Sequence, residues 1–545
     1  MSSSHALPDA SATNAIPIFD AIIIGAGICG MYQLLRLREL GLTVRVFEAG
    51  SGVGGTWYWN RYPGARFDSE SYTYGYSFSE RLMAEWDWSE HFSAQPETLR
   101  YLEFAAEKFD LRKDIQFNAR VASAVYDESA NRWTVTTEGG ESATAKFLIT
   151  AVGVLSAPYT PPIAGRDEFR GESWHTAAWP HHPVDFSTKR VGVIGSGATA
   201  VQLITEVAKN VGHLTVFQRT ANYCIPLNNR VIAPHEQAAL KAGYGEMFAR
   251  CRETYAAFIH DFDPRSVFDV SDEEREAHYE RLWKEPGFGF WLGNFYDIMT
   301  DERANETIAE FVRRKIRERV KDQLLAEKLT PRDHCFGTKR VPLESGYYEA
   351  YNRPNVELVQ LKSNPIECIT ATGIKTAERD YPLDVIIFAT GFDAVTGALT
   401  RMDIRGQGGI SLKDKWQDGP RTYLGLQVAG FPNLFTVVGA HNAANFCNVP
   451  RCGEQNVEWV TDCIRHMLDH NLERISATVE AEQSWRDHCL EVVAHTLFLK
   501  TDSWFMGANI PGKQRMFLGY GGGLPRYREK CDAVAAADYE GFVLE

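Results

Sequence analysis

The chain opens its ordered pattern with Phe19–Gly25 (FDAIIIG), a β-branched run closed by glycine, which reads as a parallel strand buried on both faces. Gly-Ala-Gly-Ile-Cys-Gly follows, then helical periodicity over Met31–Leu40 closed by Gly41, then a second strand over Thr43–Glu48. Gln95–Phe109 predicts a helix, and Ile115–Thr150 several short strands with a hairpin turn at Gly139-Gly140. A proline-rich connector, Ser156–Gly165, leads to another strand–turn–helix–strand, RVGVIGSGATAVQLITEVAKN and then LTVFQRT. From Ile232 to Leu329 the composition shifts to Glu, Arg, Lys and Ala, which predicts a helical insertion. Strands resume at Val356–Gln360, Tyr381–Thr390 and Pro432–Val438, with a helix over Glu454–Asn471. The fold class expected is α/β, with two Rossmann-like dinucleotide-binding units and a helical insertion. The divisions are a tail over 1–17, a first unit over 18–153, a linker and second unit over 154–231, and the insertion over 232–334. The second unit then resumes over 335–388, and the first, with a C-terminal segment, over 389–545.

Composition narrows the partners. The net charge of −14 over 545 residues repels phosphate backbones and anionic lipid, so no nucleic-acid or membrane partner is expected. No apolar run reaches the roughly 20 residues of a membrane span. The first 17 residues lack a basic head and an apolar stretch, so they read as a disordered tail without a secretory signal. Ten scattered cysteines form no C-x-x-C pair and no Cys/His cluster, which argues against a metal site. They read as reduced thiols of a cytoplasmic protein.

The two glycine turns carry the chemistry. Gly25-x-Gly27-x-x-Gly30 stands between strand and helix, and Glu48 lies 23 residues after Gly25, placed to bind a ribose diol. The second turn is Gly195-Ser196-Gly197-Ala198-Thr199-Ala200, and its second strand ends in Arg219-Thr220 where the first has Glu48. A carboxylate there would repel a 2′-phosphate, whereas a guanidinium binds one, so the second site is expected to take NADP(H). One riboside site with free hydroxyls and one NADP site suggest a flavin reduced by NADPH. Asp384–Phe392, ending in Ala-Thr-Gly-Phe, resembles the strand that links the nucleotide domains of flavin monooxygenases.

Two longer patterns point to a reaction. Phe169-x-Gly171-x-x-x-His175-x-x-x-Trp179-Pro180 resembles the signature of type I Baeyer–Villiger monooxygenases, and Gly54-Gly55-Thr56-Trp57 through Tyr62-Pro63-Gly64 to Asp68 is similar to that family's longer motif. The likeness continues through Gly337–Pro342 and Ser503–Lys513. It implies FAD and NADP(H) as cofactors, and O2 and a small ketone as substrates. The product is an ester or lactone, formed through a flavin peroxide and a tetrahedral adduct. By the same resemblance Arg340 is the catalytic arginine and Asp68 the carboxylate that holds it. FAD contacts are Gly25, Gly27, Gly30, Glu48, Gly55, Thr56, Trp57, Asp68 and Tyr74. NADP contacts are Arg66, the 195–200 turn, Arg219, Thr220, Lys339, Arg340 and Trp504. His175 becomes a hinge or structural histidine. A permanently charged guanidinium is chemically apt, because it stabilises an oxyanion without surrendering a proton.

The chain departs from the family after Val438. Relatives continue Gly-Pro-x-Ser, whereas this sequence reads Gly439-Ala-His-Asn-Ala-Ala-Asn-Phe-Cys-Asn448. Ala443, Asn445 and Phe446 are the candidate pocket residues, with surface-loop roles as the alternative. The insertion's aromatics (Phe288, Phe290, Trp291 and Phe295) read as core. Rival functions are oxygenation of nitrogen or sulfur by the same flavin chemistry, and a non-catalytic NADP-binding protein.

Overall fold

The computed structural model describes residues 16–545; the expected tail over 1–17 lies, but for its last two residues, outside them. Two sheets carry the nucleotide turns. The first has eight strands, in the order Asp403–Arg405, Val121–Asp127, Arg132–Thr137, Ser142–Thr150, Ile18–Ile24, Val44–Phe47 and Ile115–Gln116, with Leu434–Thr436 added on Ser142–Thr150. The strand Ser142–Thr150 serves two partners. Its start pairs antiparallel with Arg132–Thr137 and its end pairs parallel with Leu434–Thr436. The second sheet has five parallel strands, in the order Val356–Gln360, His213–Gln218, Arg190–Ile194, Val385–Phe388 and Glu172–His175.

The chain therefore crosses between sheets twice, after Thr150 and after Phe388. The two connectors bond to each other. The amide of Tyr159 donates to Gly391 O (2.9 Å), that of Asp393 to Ala157 O (2.8 Å) and that of Val395 to Val154 O (2.8 Å). The insertion is helical, as composition predicted, and its longest helix is Glu302–Arg319. The Asp301 side chain caps that helix by accepting from Arg303 and Ala304, satisfying two of its orphan amides.

Three elements differ from expectation for local reasons. Tyr381–Thr390 divides into Asp380–Pro382, in a small antiparallel ribbon, and the buried strand Val385–Phe388, because Pro382 cannot donate to a ladder. The C-terminal helix runs Val449–Asp469, earlier than expected, with Pro450 in its first turn where a missing N–H costs nothing. The reading of ten reduced thiols is corrected at two positions. Cys447 and Cys452 are bonded to each other, with Cα atoms 6.6 Å apart. They occupy the residue before the Asn448 cap and the fourth helical residue, which a helix start brings together. The other eight are free.

Candidate functional site

The first glycine turn is tightly walled. Gly25 has φ +104°, and a Cβ there would stand 2.7 Å from Ala151 O. At Gly30 a Cβ would meet Gly25 O at 1.9 Å. Gly27 begins the helix Ile28–Glu39 with no side-chain cap, and a Cβ on it would meet the Gly55 Cα at 3.5 Å. Two bare backbones thus face each other across uncapped helix amides, which is a cradle for a pyrophosphate. Glu48 is buried and accepts from the amides of Ala26 and Gly50, both at 2.7 Å, so its carboxylate is fixed beside the turn. Thr56 and Trp57 follow directly. The Trp57 indole donates to the Tyr74 hydroxyl (2.9 Å), and Tyr74 stacks on Phe67 with centroids 4.4 Å apart, forming an aromatic wall that leads to Asp68.

The second turn repeats the backbone but is open. Gly195 has φ +120° and Ala389 O at 2.3 Å from a Cβ position, while nothing lies within 4 Å of one at Gly197. The helix Ala198–Val207 again starts uncapped, with Thr199 in its first turn and Ala200 fully buried. Ser196 Oγ donates to Thr220 O (2.7 Å), joining the turn to the strand end. Arg219 is exposed and Lys339 half-buried. Burial pulls the Lys339 ammonium below its ordinary value; Asp333 opposes that and Arg219 adds to it. Two neighbouring cations with no ion pair among the described residues, on an acidic chain, are a fit for an added phosphate. Arg66 turns elsewhere, donating to Glu90 (3.2 Å) and to Phe92 O (3.0 Å).

Between the turns lies the Arg340–Asp68 pair. A guanidinium nitrogen of Arg340 donates to Asp68 Oδ2, while Arg340 Nε and Asp68 Oδ1 are buried without partners. Burial pushes the Asp68 carboxyl above its ordinary value, and Arg340 draws it back. A charge pair with a buried carboxylate, a partly exposed guanidinium, an unused donor and an unused acceptor leaves polar capacity for a bound group. Phe288 lies against the guanidinium, with Arg340 Cζ 5.3 Å from its ring centroid. The reading of the insertion aromatics as core holds for Phe288, Phe290, Trp291 and Phe295, all buried in one cluster, and Phe288 in addition meets Arg340.

The 439–448 loop is enclosed. Ala443 and Asn445 are buried; Asn445 Nδ2 donates to Gly439 O (2.9 Å) and Leu518 O (3.3 Å), and its Oδ1 has no partner. Phe446 packs among Phe498, Phe505 and Phe517, with centroids 5.2, 4.3 and 4.9 Å away. The surface-loop alternative for these three is thereby set aside. His441 on the same loop has a left-handed backbone (φ 60°), and burial pulls its imidazole down to about 4.

Trp504 sits in a short turn, Trp504–Met506, edge-on to Phe505. The strap that carries it is fixed to the second connector: Asn509 Nδ2 donates to Phe392 O (2.8 Å), and Lys513 Nζ to Asp393 (2.7 Å) and Ala394 O (2.7 Å). Thr501 donates to the Thr338 hydroxyl (2.7 Å), two residues before Arg340. His175 reaches the same connector. Its Nδ1 accepts from Ala177 (3.1 Å), which leaves Nε2–H to donate to Gly391 O (3.1 Å), and burial pulls it below its ordinary value.

Residues 22–263 match the family described as pyridine nucleotide-disulphide oxidoreductase. The acetone monooxygenase (methyl acetate-forming) of Gordonia sp. is 46% identical over 96% of this chain and 99% of its own length. The phenazine N-monooxygenase of Lysobacter antibioticus is also 46% identical, over 96% and 97%. The crystal structure of OTEMO in complex with FAD and NADP superposes with a TM-score of 0.94 at 47% identity, covering 97% of this chain and 100% of that one. With the whole length shared at this identity, the double glycine turn, the Arg340–Asp68 pair and the Phe169–Pro180 signature have one common explanation: the chain belongs to the Baeyer–Villiger monooxygenases.

Proposed function

We propose that the chain oxidises small ketones to esters or lactones in the cytoplasm, with FAD held at the first turn and NADP(H) at the second. The observation that carries this reading is the Arg340–Asp68 pair, which joins the two nucleotide units through a buried carboxylate and a partly exposed guanidinium, with one polar atom of each partner still unengaged. Reduced flavin, when bound, supplies the activation of O2, and NADPH supplies its reducing hydride.

The chain's own residues do the rest. Negative charge develops on the ketone oxygen as its carbonyl is attacked, and Arg340 is positioned to stabilise it without giving up a proton. Asp68 holds that guanidinium in one orientation, and its attraction offsets the cost of burying the carboxylate. Phe288 and the Phe446 cluster present apolar surface, which favours a carbonyl substrate over water and limits water's access to the reacting centre. Arg219 and Lys339 select NADPH through its 2′-phosphate.

The test is anaerobic reduction by NADPH, followed by O2 and a panel of linear, cyclic and aryl ketones. An aromatic N-heterocycle is included because one close relative is named for N-oxidation. Ester or lactone is the expected product. Arg340→Ala is expected still to accept electrons from saturating NADPH while ester formation falls at least about 100-fold. Normal ester formation by that variant defeats the assignment.

A further inference from the structure

One carboxylate–histidine hydrogen bond close to the site is not used by the reaction above. Glu70 lies two residues after Asp68, and its side chain is 1% exposed. Its Oε1 has one hydrogen-bond partner, His260 Nε2 at 2.8 Å, and its Oε2 has none. His260, 13% exposed, belongs to the helical insertion, so the pair joins the insertion to the segment that carries the catalytic carboxylate.

The pair also forms the floor of the turn that holds Phe288. Gly287, with φ +68°, has so little room that a Cβ would stand 2.8 Å from the Phe92 ring and 3.0 Å from Glu70 Oε1. On the other side of Phe288, a Cβ at Gly289 would stand 3.3 Å from His260 Cε1. The residues flanking Phe288 thus rest one on each member of the pair. The Phe288 ring is directed to Arg340, and Phe258 meets it edge-on at 5.3 Å. The segment bearing His260 is fixed a second time, where the Asn448 amide donates to Ala256 O (2.9 Å) and Asn448 Nδ2 to Thr73 Oγ1 (3.1 Å). Thr73 in turn donates to Glu70 O (2.9 Å).

We infer that Glu70 and His260 are positioning residues: their hydrogen bond fixes the Gly287–Gly289 turn and so holds the Phe288 ring against the catalytic guanidinium. His260 is the one hydrogen-bond donor that orients this buried carboxylate, so losing it would leave the whole group without a partner. Without it, Phe288 gains freedom and Arg340 loses the apolar face that limits its orientation. Neither Glu70 nor His260 contacts Arg219 or Lys339, the proposed NADPH phosphate site, so reduction of the flavin is expected to continue. What fails is delivery of oxygen to the ketone, and O2 leaves as hydrogen peroxide instead.

The inference rests on the ketone-oxygenase reading of Arg340, and the test separates the two. His260→Leu is compared with His260→Gln, which keeps a donor. Glu70→Leu/His260→Leu removes both partners together and so strands no buried carboxylate. Flavin reduction by NADPH is expected to stay within about twofold in all three, while ester formed per NADPH falls about tenfold in His260→Leu and in the double variant, with hydrogen peroxide making up the difference. His260→Gln is expected to recover most of the yield. Crystal structures of parent and double variant give a readout independent of any substrate, and the Phe288 ring is expected to move off the guanidinium. An unmoved ring, an unchanged ester yield in His260→Leu and the double variant, or a His260→Gln variant no better than His260→Leu overturns the proposal.

Discussion

Gly27 and Gly197 hold the same place in two copies of one motif, yet their surroundings are opposite. A Cβ on Gly27 meets the backbone of Gly55, whereas one on Gly197 meets nothing within 4 Å. Both helices start uncapped and both turns need a left-handed glycine at their first position, so the pyrophosphate end of each site is equivalent. The walls decide what kind of ligand each suits. An enclosed turn with a pinned Glu48 suits a group that stays through many turnovers. An open turn with two unpaired cations suits one that arrives and leaves each time. Enclosure and charge, rather than the glycine fingerprint, separate a resident cofactor from an exchanging cosubstrate.

The strongest way to break the comparison is to add a methyl group to one glycine of each turn, Gly30 in the first and Gly197 in the second. Gly30→Ala places a methyl group 1.9 Å from Gly25 O, so the purified variant is expected to lack bound flavin and its visible absorbance. Gly197→Ala, with open space around it, is expected to stay yellow and to change only the KM for NADPH. A yellow Gly30→Ala protein would remove the distinction. Next in size, Arg219→Ala should lower kcat/KM for NADPH about 100-fold while NADH changes less than about threefold, a loss of the size set by one charge-assisted pair. Equal losses would mean that the second turn does not read the 2′-phosphate.

The smallest effect concerns the flavin-side loop. His441 is buried neutral, with its imidazole pulled down to about 4. The unfolded chain therefore binds a proton near pH 6.5 that the folded chain refuses, so the stability contribution is complete above that value and is lost as pH falls toward 4. Between pH 7 and 5.5 this amounts to about 1 kcal/mol, and His441→Gln should flatten that part of a denaturant-derived stability profile. An unchanged slope would show that the loop opens to solvent before the imidazole titrates.

Much of this was readable in one dimension. Glycine turns, Glu48, Arg219 and the divided roles of the two units follow from spacing, because each depends on a strand and a helix that are local in sequence. Arg340 and Asp68 stand 272 residues apart, and only a resemblance over long motifs joined them. Local chemistry that was overlooked includes Pro382 ending one ladder, Pro450 opening a helix, and Cys447 facing Cys452 across a helix start. The Glu70–His260 pair and the contact of Phe288 with Arg340 had no such signal. They arise where a helical insertion folds back on a distant segment, and amphipathic spacing specifies that a helix buries a face without naming the face it meets.

The two crossings between the sheets bear on how the molecule can move. Because the connectors are bonded edge to edge at Tyr159–Gly391, Asp393–Ala157 and Val395–Val154, they act as one ribbon instead of two separate tethers. Such a ribbon bends more readily about its own line than two independent tethers would. Since Lys513 and Asn509 grip the same ribbon, the C-terminal strap that carries Trp504 is tied to the line along which the two sheets are joined.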